Sequence, residues 1–232
     1  MSAPQAVPPL AAVVMAAGAG RRMGHRPKAL LRRDGEPLVV RTVRLLREAG
    51  VAQVAVVLGH HATQVQAALA QSEALARLGG WRCATNPDPD AGPGSSLRAG
   101  LEALQDAPGA VLVALADHPL LEASDLAWLR ERWAKRAADH HLLVPVRAGQ
   151  PGHPLILDEA LRREVLAMPA DEGVREWRRR HPDQVWSAPV EHERFHADVD
   201  DEARLRELEA RHGVALCWPA EWGRASGGDL AG

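Results

Sequence analysis

The sequence predicts an α/β fold, a three-layer α/β/α arrangement around a mostly parallel sheet. Three observations carry that expectation. Short apolar runs alternate with longer segments of helical period, the runs are continuously apolar as strands covered on both faces must be, and Gly or Pro marks the joints. The composition agrees. The 232 residues are 46% hydrophobic and 25% charged, the mix of a globular chain long enough to bury a core without staples.

Each element has its own signal. Leu10–Ala16 is a continuously apolar run ahead of glycines and predicts a buried strand. Residues 37–49 predict a helix, with Pro37 in the first turn and Gly50 at the C-terminal cap. Val54–Leu58 is a second buried strand stopped by Gly59; residues 62–77, rich in Ala and Gln, predict one helix; Trp81–Thr85 is a third strand. Ser95 or Ser96 is the expected cap of a helix reaching about Gln105, and Val111–Leu115 a fourth strand. Ser124 is the expected cap of a helix to Ala137, with Asp125 in its first turn. Beyond it, strands are expected at 142–146 and 155–157 around a turn at 148–154, helices at 159–168 and 174–180, an extended run at 185–190, and a last helix at 203–212 ending at Gly213. Residues 213–232 lose periodicity and predict a loose C-terminal tail. No linker divides the chain, so residues 1–212 are expected as one domain.

Charge and cysteine usage exclude several classes. Lys plus Arg number 28 against 30 Asp plus Glu, a net charge of −2, so no global field favours nucleic acid. Cys83 and Cys217 are too few for a disulfide framework and suit a reducing compartment. Residues 10–17 are apolar but carry Arg21 and Arg22 after rather than before them, the wrong polarity for export, and no run is long enough to cross a membrane. A soluble, cytoplasmic protein that binds neither nucleic acid nor membrane is expected.

The densest chemistry follows the first strand. Residues 16–28 (AAGAGRRMGHRPK) combine Gly18, Gly20 and Gly24 with Arg21, Arg22, Arg26 and Lys28. Glycines let backbone amides crowd an anion and the cations supply countercharge, so the segment predicts a phosphate cradle. It is not a mononucleotide P-loop, because no Gly precedes Lys28 and Ala29 follows it. It is a poor dinucleotide fingerprint, because Pro27 separates it from the next helix and Leu58-Gly59-His60 supplies no ribose-binding acid.

The stretch Ala16 to Leu31 (AAGxGxRMGxxPKxLL) resembles the signature of nucleotidyltransferases, in particular the molybdenum cofactor branch, molybdopterin cytidylyltransferase-like and MobA-like, and the likeness continues to about His212. Asn86 with Gly94-Ser95-Ser96-Leu97 is similar to that family's base-binding loop, and Leu115-Ala116-Asp117-His118-Pro119 to its LADQP motif, with His118 in place of Gln. Gly152-His153-Pro154 matches the GHP of the cytidylyl branch. Asp198-Val199-Asp200 resembles its DxD, although Asp201-Glu202 follow where Thr-Pro is usual.

The resemblance implies a Rossmann-like sheet of the nucleotidyltransferase type, with an NTP-binding half at about 10–137 and an acceptor-binding half at about 138–212. It implies Mg²⁺-dependent transfer of CMP from CTP to molybdopterin, with pyrophosphate released and a recipient molybdoenzyme as a possible partner. Ala16, Ala17, Gly18, Gly20, Arg22, Lys28, Asn86, Gly94, Ser95 and Ser96 would bind nucleotide; Arg22, Lys28 and Asp117 would be catalytic; Asp117 and Asp200 would hold the metal; His153 would approach the acceptor. Met15-Ala16-Ala17-Gly18 sides with the cytidylyl branch, where the guanylyl branch has a second Gly. The alternatives are a guanylyl or other NTP transferase, an NAD(P)-dependent oxidoreductase, or a cofactor carrier using the same loop.

Blander roles stand beside these. Asp117 could close a turn, Asp198 or Asp200 could cap the last helix, and Asn86 and Ser96 could do the same work locally. His192-Glu193-Arg194-Phe195-His196 matches HExxH, but its flanks are extended, so a zinc site is not expected. The pairs His60-His61 and His140-His141 and the run Arg178–Arg180 are expected at the surface, with a grip on substrate phosphate open for the arginines.

Overall fold

The computed structural model describes residues 9–169 and 172–223. In chain order its elements are β1 (Leu10–Ala16), β2 (Arg32–Arg33), β3 (Glu36–Pro37), α1 (Leu38–Glu48), β4 (Gln53–Leu58), α2 (Ala62–Ala70), α3 (Glu73–Leu78) and β5 (Trp81–Thr85). Then come α4 (Pro93–Ala103), β6 (Ala110–Leu115), α5 (Ala123–Ala134), β7 (Leu142–Arg147), β8 (Gln150–Pro151), β9 (Leu155–Leu157), α6 (Glu159–Ala167), α7 (Val174–Arg180), β10 (Val185–Pro189), α8 (Glu202–His212) and β11 (Leu216–Cys217).

The main sheet runs β10-β7-β9-β6-β1-β4-β5, with β8 paired to the end of β7. Only β9 and β8 run against the rest. Strand residues divide between two faces with period two, as the pleat demands. Leu10, Ala12, Val14 and Ala16 of β1 face one core with α1, α3 and α5. Ala11 and Val13 face another with α4, α6 and α7. Close approach is built in at Gly100 of α4, where a Cβ would come within 2.5 Å of Val13 and 2.8 Å of Val57. Only hydrogen fits between that helix and the sheet.

A third, smaller apolar cluster joins distant parts of the chain. Met23 and Leu31 from the glycine-rich loop meet Leu120, Ala197, Val199, Leu205, Leu208 and Leu216. Beside it, β11 pairs antiparallel with β2, which pairs with β3. Residues 214–223, expected as loose tail, therefore pack on the loop after β1. A two-residue strand has no periodicity to read, which is why the sequence did not show it. Residues 224–232 of that expected tail lie outside the described residues.

Three helix starts differ from expectation. The expected single helix at 62–77 breaks at Gln71, because the Ser72 hydroxyl accepts the Leu75 amide at 3.3 Å and starts α3 afresh. The helix α4 begins at Pro93 behind Gly92, so Ser95 and Ser96 sit inside its first turn instead of capping it. The helix α5 begins behind Glu122, not Ser124. Asp125 accepts the Glu122 amide at 2.9 Å and is itself gripped by Arg194 at 2.7 Å. An arginine also closes the C-terminus of α4, where carbonyls lack partners: Arg162 donates to Leu101 in the last turn at 3.3 Å and to Ala107 beyond it at 3.0 Å.

Candidate active site

The chain crosses from β1 to β4 and β5 on one side, then returns to β6 on the other. The carboxyl ends of β1 and β6 therefore flank a topological switch point, the place where open α/β sheets leave a crevice. The glycine-rich loop follows β1 and Asp117 follows β6. Met15, Ala16, Gly18, Pro27, Lys28, Ala29, Ala116 and Asp117 line one cleft there.

The loop's backbone is fixed from within. Gly20 lies at φ +62° and its carbonyl accepts the Met23 and His25 amides at 2.8 and 3.0 Å; a Cβ on Gly20 would sit 1.9 Å from the Arg26 carbonyl oxygen. Glycine is thus a folding requirement at that position. Gly18 is different: a Cβ there would meet nothing within 4 Å. It lies in the cleft with no neighbour in the fold to demand its missing side chain, which suits close approach of a ligand. Ala17 is buried, and Gly59 permits it, since a Cβ on Gly59 would come 2.8 Å from the Ala17 methyl.

Charge converges on one point. Lys28 Nζ lies 2.8 Å from Asp117 Oδ2 and 2.9 Å from Asp200 Oδ1, while Arg22 reaches Asp200 Oδ2 at 2.7 Å. A backbone hydrogen bond brings the second carboxylate there: the Val199 amide donates to the Asp117 carbonyl at 3.1 Å. Burial opposes the Lys28 charge, but Asp117 and Asp200 outweigh it and raise the ammonium's pKa. Burial likewise opposes the Asp200 charge, and Lys28 and Arg22 overcome it, holding that carboxyl below its ordinary value. Asp198 goes the other way, pushed up by burial, with His118 pulling against the rise.

Two carboxylates that converge on a single cation form the donor set of a Mg²⁺-type site, in which water and phosphate oxygens complete the octahedron. Asp117 and Asp200 fit that group. Among the described residues no set of three or more His, Cys, Asp or Glu is gathered to hold a metal without such help.

Asn86, at the end of β5, forms a second cluster. Its Nδ2 donates to Ser95 Oγ and Ser96 Oγ at 2.8 and 2.9 Å, and its Oδ1 accepts the Asp88 amide at 3.0 Å. Asn86 and Ser96 are buried, so these side chains shape the loop around Gly94 rather than offering free polar groups. Asp90 links this cluster to the glycine-rich loop, 2.7 Å from Arg21 and 3.2 Å from His60.

On the other side of Asp117 stand imidazoles. His118 is buried, with Nδ1 lacking a partner among the described residues, and its ring meets that of His153 edge to face at 6.3 Å. Burial pushes the His153 pKa down to about 3, with His118 adding to the effect.

The HExxH residues are separated in function. Residues 193–196 form one 3₁₀ turn; His192 stacks on Phe195, Glu193 pairs with His212 at 2.6 Å, and His196 Nε2 lies 2.8 Å from the Gln150 carbonyl. Arg180 pairs with Glu172 at the surface, as expected for that arginine run.

Lys28, Arg22, Asp117 and Asp200 are thus brought together; Asn86, Ser95 and Ser96 gather apart, joined through Asp90. Sequence reasoning missed Asp90, the half-buried setting of Asp198 and the burial of His118. Arg26, expected as a cation of the cradle, instead pairs with Glu202 and stacks on Trp218, 4.3 Å from the ring centroid, tying the loop to α8 and to the residue after β11. Trp218 lay in the stretch read as tail, and no pattern marked it.

Comparisons place these features among known proteins. A family model described as the MobA-like NTP transferase domain matches residues 12–185. Nicotine blue oxidoreductase of Paenarthrobacter nicotinovorans is 34% identical over 207 residues, covering 87% of this chain and 97% of that protein. A nucleotidyl transferase from Methanothermobacter superposes with a TM-score of 0.69 at 23% identity, covering 87% of this chain and 96% of that one. The Rv0371c protein of Mycobacterium tuberculosis, in complex with manganese, superposes with a TM-score of 0.63 at 23% identity, covering 86% and 97%. The two structures share the fold.

Proposed function

Because this chain belongs to the MobA-like NTP transferase family, we propose that it transfers CMP from CTP to molybdopterin and releases pyrophosphate. Nucleotidyl transfer is the activity of that family. The relationship that carries it here is Lys28 standing between Asp117 and Asp200 at 2.8 and 2.9 Å, beside a glycine left open at position 18.

The attacking group is already a phosphate anion, so the residues need only neutralise charge and align the reactants. Amides around Gly18 and Gly20 face the triphosphate. Arg22 and Lys28 turn from Asp200 and Asp117 to the phosphate oxygens and stabilise the charge that moves to the leaving pyrophosphate. Asp117 and Asp200, relieved of those cations, would hold a divalent ion, which when bound would supply charge neutralisation to the phosphate oxygens. The all-carboxylate donor set favours Mg²⁺, and the manganese held by Rv0371c supports a divalent requirement.

Cytidine and molybdopterin are supported by sequence: Met15–Gly18 and Gly152–Pro154 match the cytidylyl branch. The buried Ala17 methyl packs on Gly59, so the choice of base rests on the motif and not on a methyl projecting into the cleft. Asn86, Ser95 and Ser96 shape the base end, and His153 faces the acceptor. A single catalytic domain and a cytoplasmic site belong to the same proposal. No described helix is long and apolar enough to cross a membrane, and Cys83 and Cys217 are unpaired.

A second reading, NAD(P)-dependent oxidation or reduction, is favoured by one observation, the oxidoreductase named above that matches almost end to end. Thermal unfolding with CTP, GTP and NADPH, each with and without Mg²⁺, separates the two. CTP with Mg²⁺ is expected to raise Tm most, and molybdopterin with CTP to release pyrophosphate; NADPH stabilising more than CTP would overturn the first reading.

A further inference from the structure

We propose that Lys28 is a resident counter-ion that bars free divalent cations from the Asp117–Asp200 pair until a nucleotide draws it away. The inference rests on the nucleotidyl-transfer reading and goes beyond it by making metal affinity depend on the side chain at position 28.

Lys28 Nζ already occupies the point where the two carboxylates converge, and Arg22 takes the other oxygen of Asp200. A divalent ion can reach both carboxylates only if Nζ leaves. The Lys28 side chain is only 20% exposed, and Pro27 and Ala29 flank it in the cleft wall, so water offers it a poor alternative. A metal arriving alone must therefore displace a well-paired ammonium and leave it stranded in a half-buried place. A triphosphate removes that obstacle by giving Lys28 and Arg22 new anionic partners as it delivers the metal. Nucleotide and metal then bind with strong positive coupling, and linkage makes the coupling reciprocal.

Electron paramagnetic resonance titration with Mn²⁺ tests this, on the wild-type chain, Lys28→Met and Lys28→Arg, with and without the non-hydrolysable α,β-methylene analogue of CTP. The wild type is expected to bind Mn²⁺ alone about tenfold or more weakly than with the analogue. Lys28→Met, which keeps the bulk and removes the charge, is expected to bind Mn²⁺ alone about tenfold or more tightly than the wild type. Lys28→Arg, which keeps a cation, is expected to show no gain. Adding Asp200→Asn to Lys28→Met is expected to erase the gain and so identify the carboxylate pair as the site.

Where the analogue binds, equal Mn²⁺ affinity of the wild type with and without it would overturn the proposal. So would a Lys28→Met protein that melts like the wild type yet gains nothing. A gain in Lys28→Met together with no binding of the analogue by any form would support the counter-ion role and reject the nucleotide reading.

Discussion

The amide of Val199 donates to the carbonyl of Asp117 across 3.1 Å, joining the end of β6 to a segment eighty-odd residues further along the chain (~82 by number). That one backbone bond fixes how the Asp198–Asp200 segment lies against the end of the central sheet, and so how the two acidic side chains approach each other.

Asp117→Asn is expected to lower turnover about 100-fold or more, the scale of losing one charge-stabilising group. Lys28 keeps Asp200 as a partner in that variant, so the thermal midpoint is expected to move little. Pyrophosphate release from CTP and molybdopterin, read beside a melting curve, checks both halves. Activity near that of the wild type would remove Asp117 from the metal site.

The two loop glycines are expected to behave differently. Gly20→Ala forces a left-handed φ and drives a methyl into the Arg26 carbonyl, at a cost of about 1–3 kcal/mol measurable by urea unfolding. Gly18→Ala is expected to unfold like the wild type and to weaken nucleotide binding, because its methyl enters the cleft. Equal loss of stability in both would mean that Gly18 also serves the fold.

Asn86→Ala strips both serine hydroxyls of their amide donor and leaves the Ser96 hydroxyl buried. The expected cost is about 1–3 kcal/mol, with a raised KM for nucleotide as the loop before α4 loosens. A raised KM with no change in stability would point to direct contact with the base.

Acid is expected to destabilise the protein through His153. Its pKa in the fold is about 3, well below the ordinary histidine value of about 6.5 that applies when unfolded. Below pH 6.5 the unfolded chain takes up a proton that the folded one refuses, so stability is present above that pH and is lost as pH falls toward 3. The slope for one such group cannot exceed about 1.4 kcal/mol per pH unit, and the ring's partial exposure reduces it. Denaturant unfolding from pH 7 to 4 is expected to be less steep in pH for His153→Asn. An unchanged pH dependence would show that the imidazole reaches solvent freely.

Which parts of this were legible in the sequence follows from how local each signal is. β1 matches its expected bounds because strand burial shows in a handful of adjacent side chains, and β5, at the sheet edge with no fully buried residue, matches too. Helix starts were harder. Ser124 looked like a cap, but Asp125, fixed by Arg194 from a distant turn, makes Glu122 the cap. The break at Gln71 hid in an Ala- and Gln-rich stretch where only the Ser72 hydroxyl marks it. In the site, Gly18 to Lys28 and Asp117 were readable as a cluster of charges and glycines. Asp90, Asp198 and the Arg26–Trp218 stack acquire meaning only when remote segments meet, and no spacing announces that.

The reversed strand β9 has one more implication. It lies between β6 and β7 and is reached from β7 through a hairpin, so the excursion carrying His153 needs no crossover helix. The turn between β7 and β9 is free to vary in length, whereas β9 itself is buried and bonded on both sides by β6 and β7. Under the proposed function, divergence toward a new acceptor would act on that turn, and exchanging it between relatives is expected to change the acceptor while the sheet stays intact.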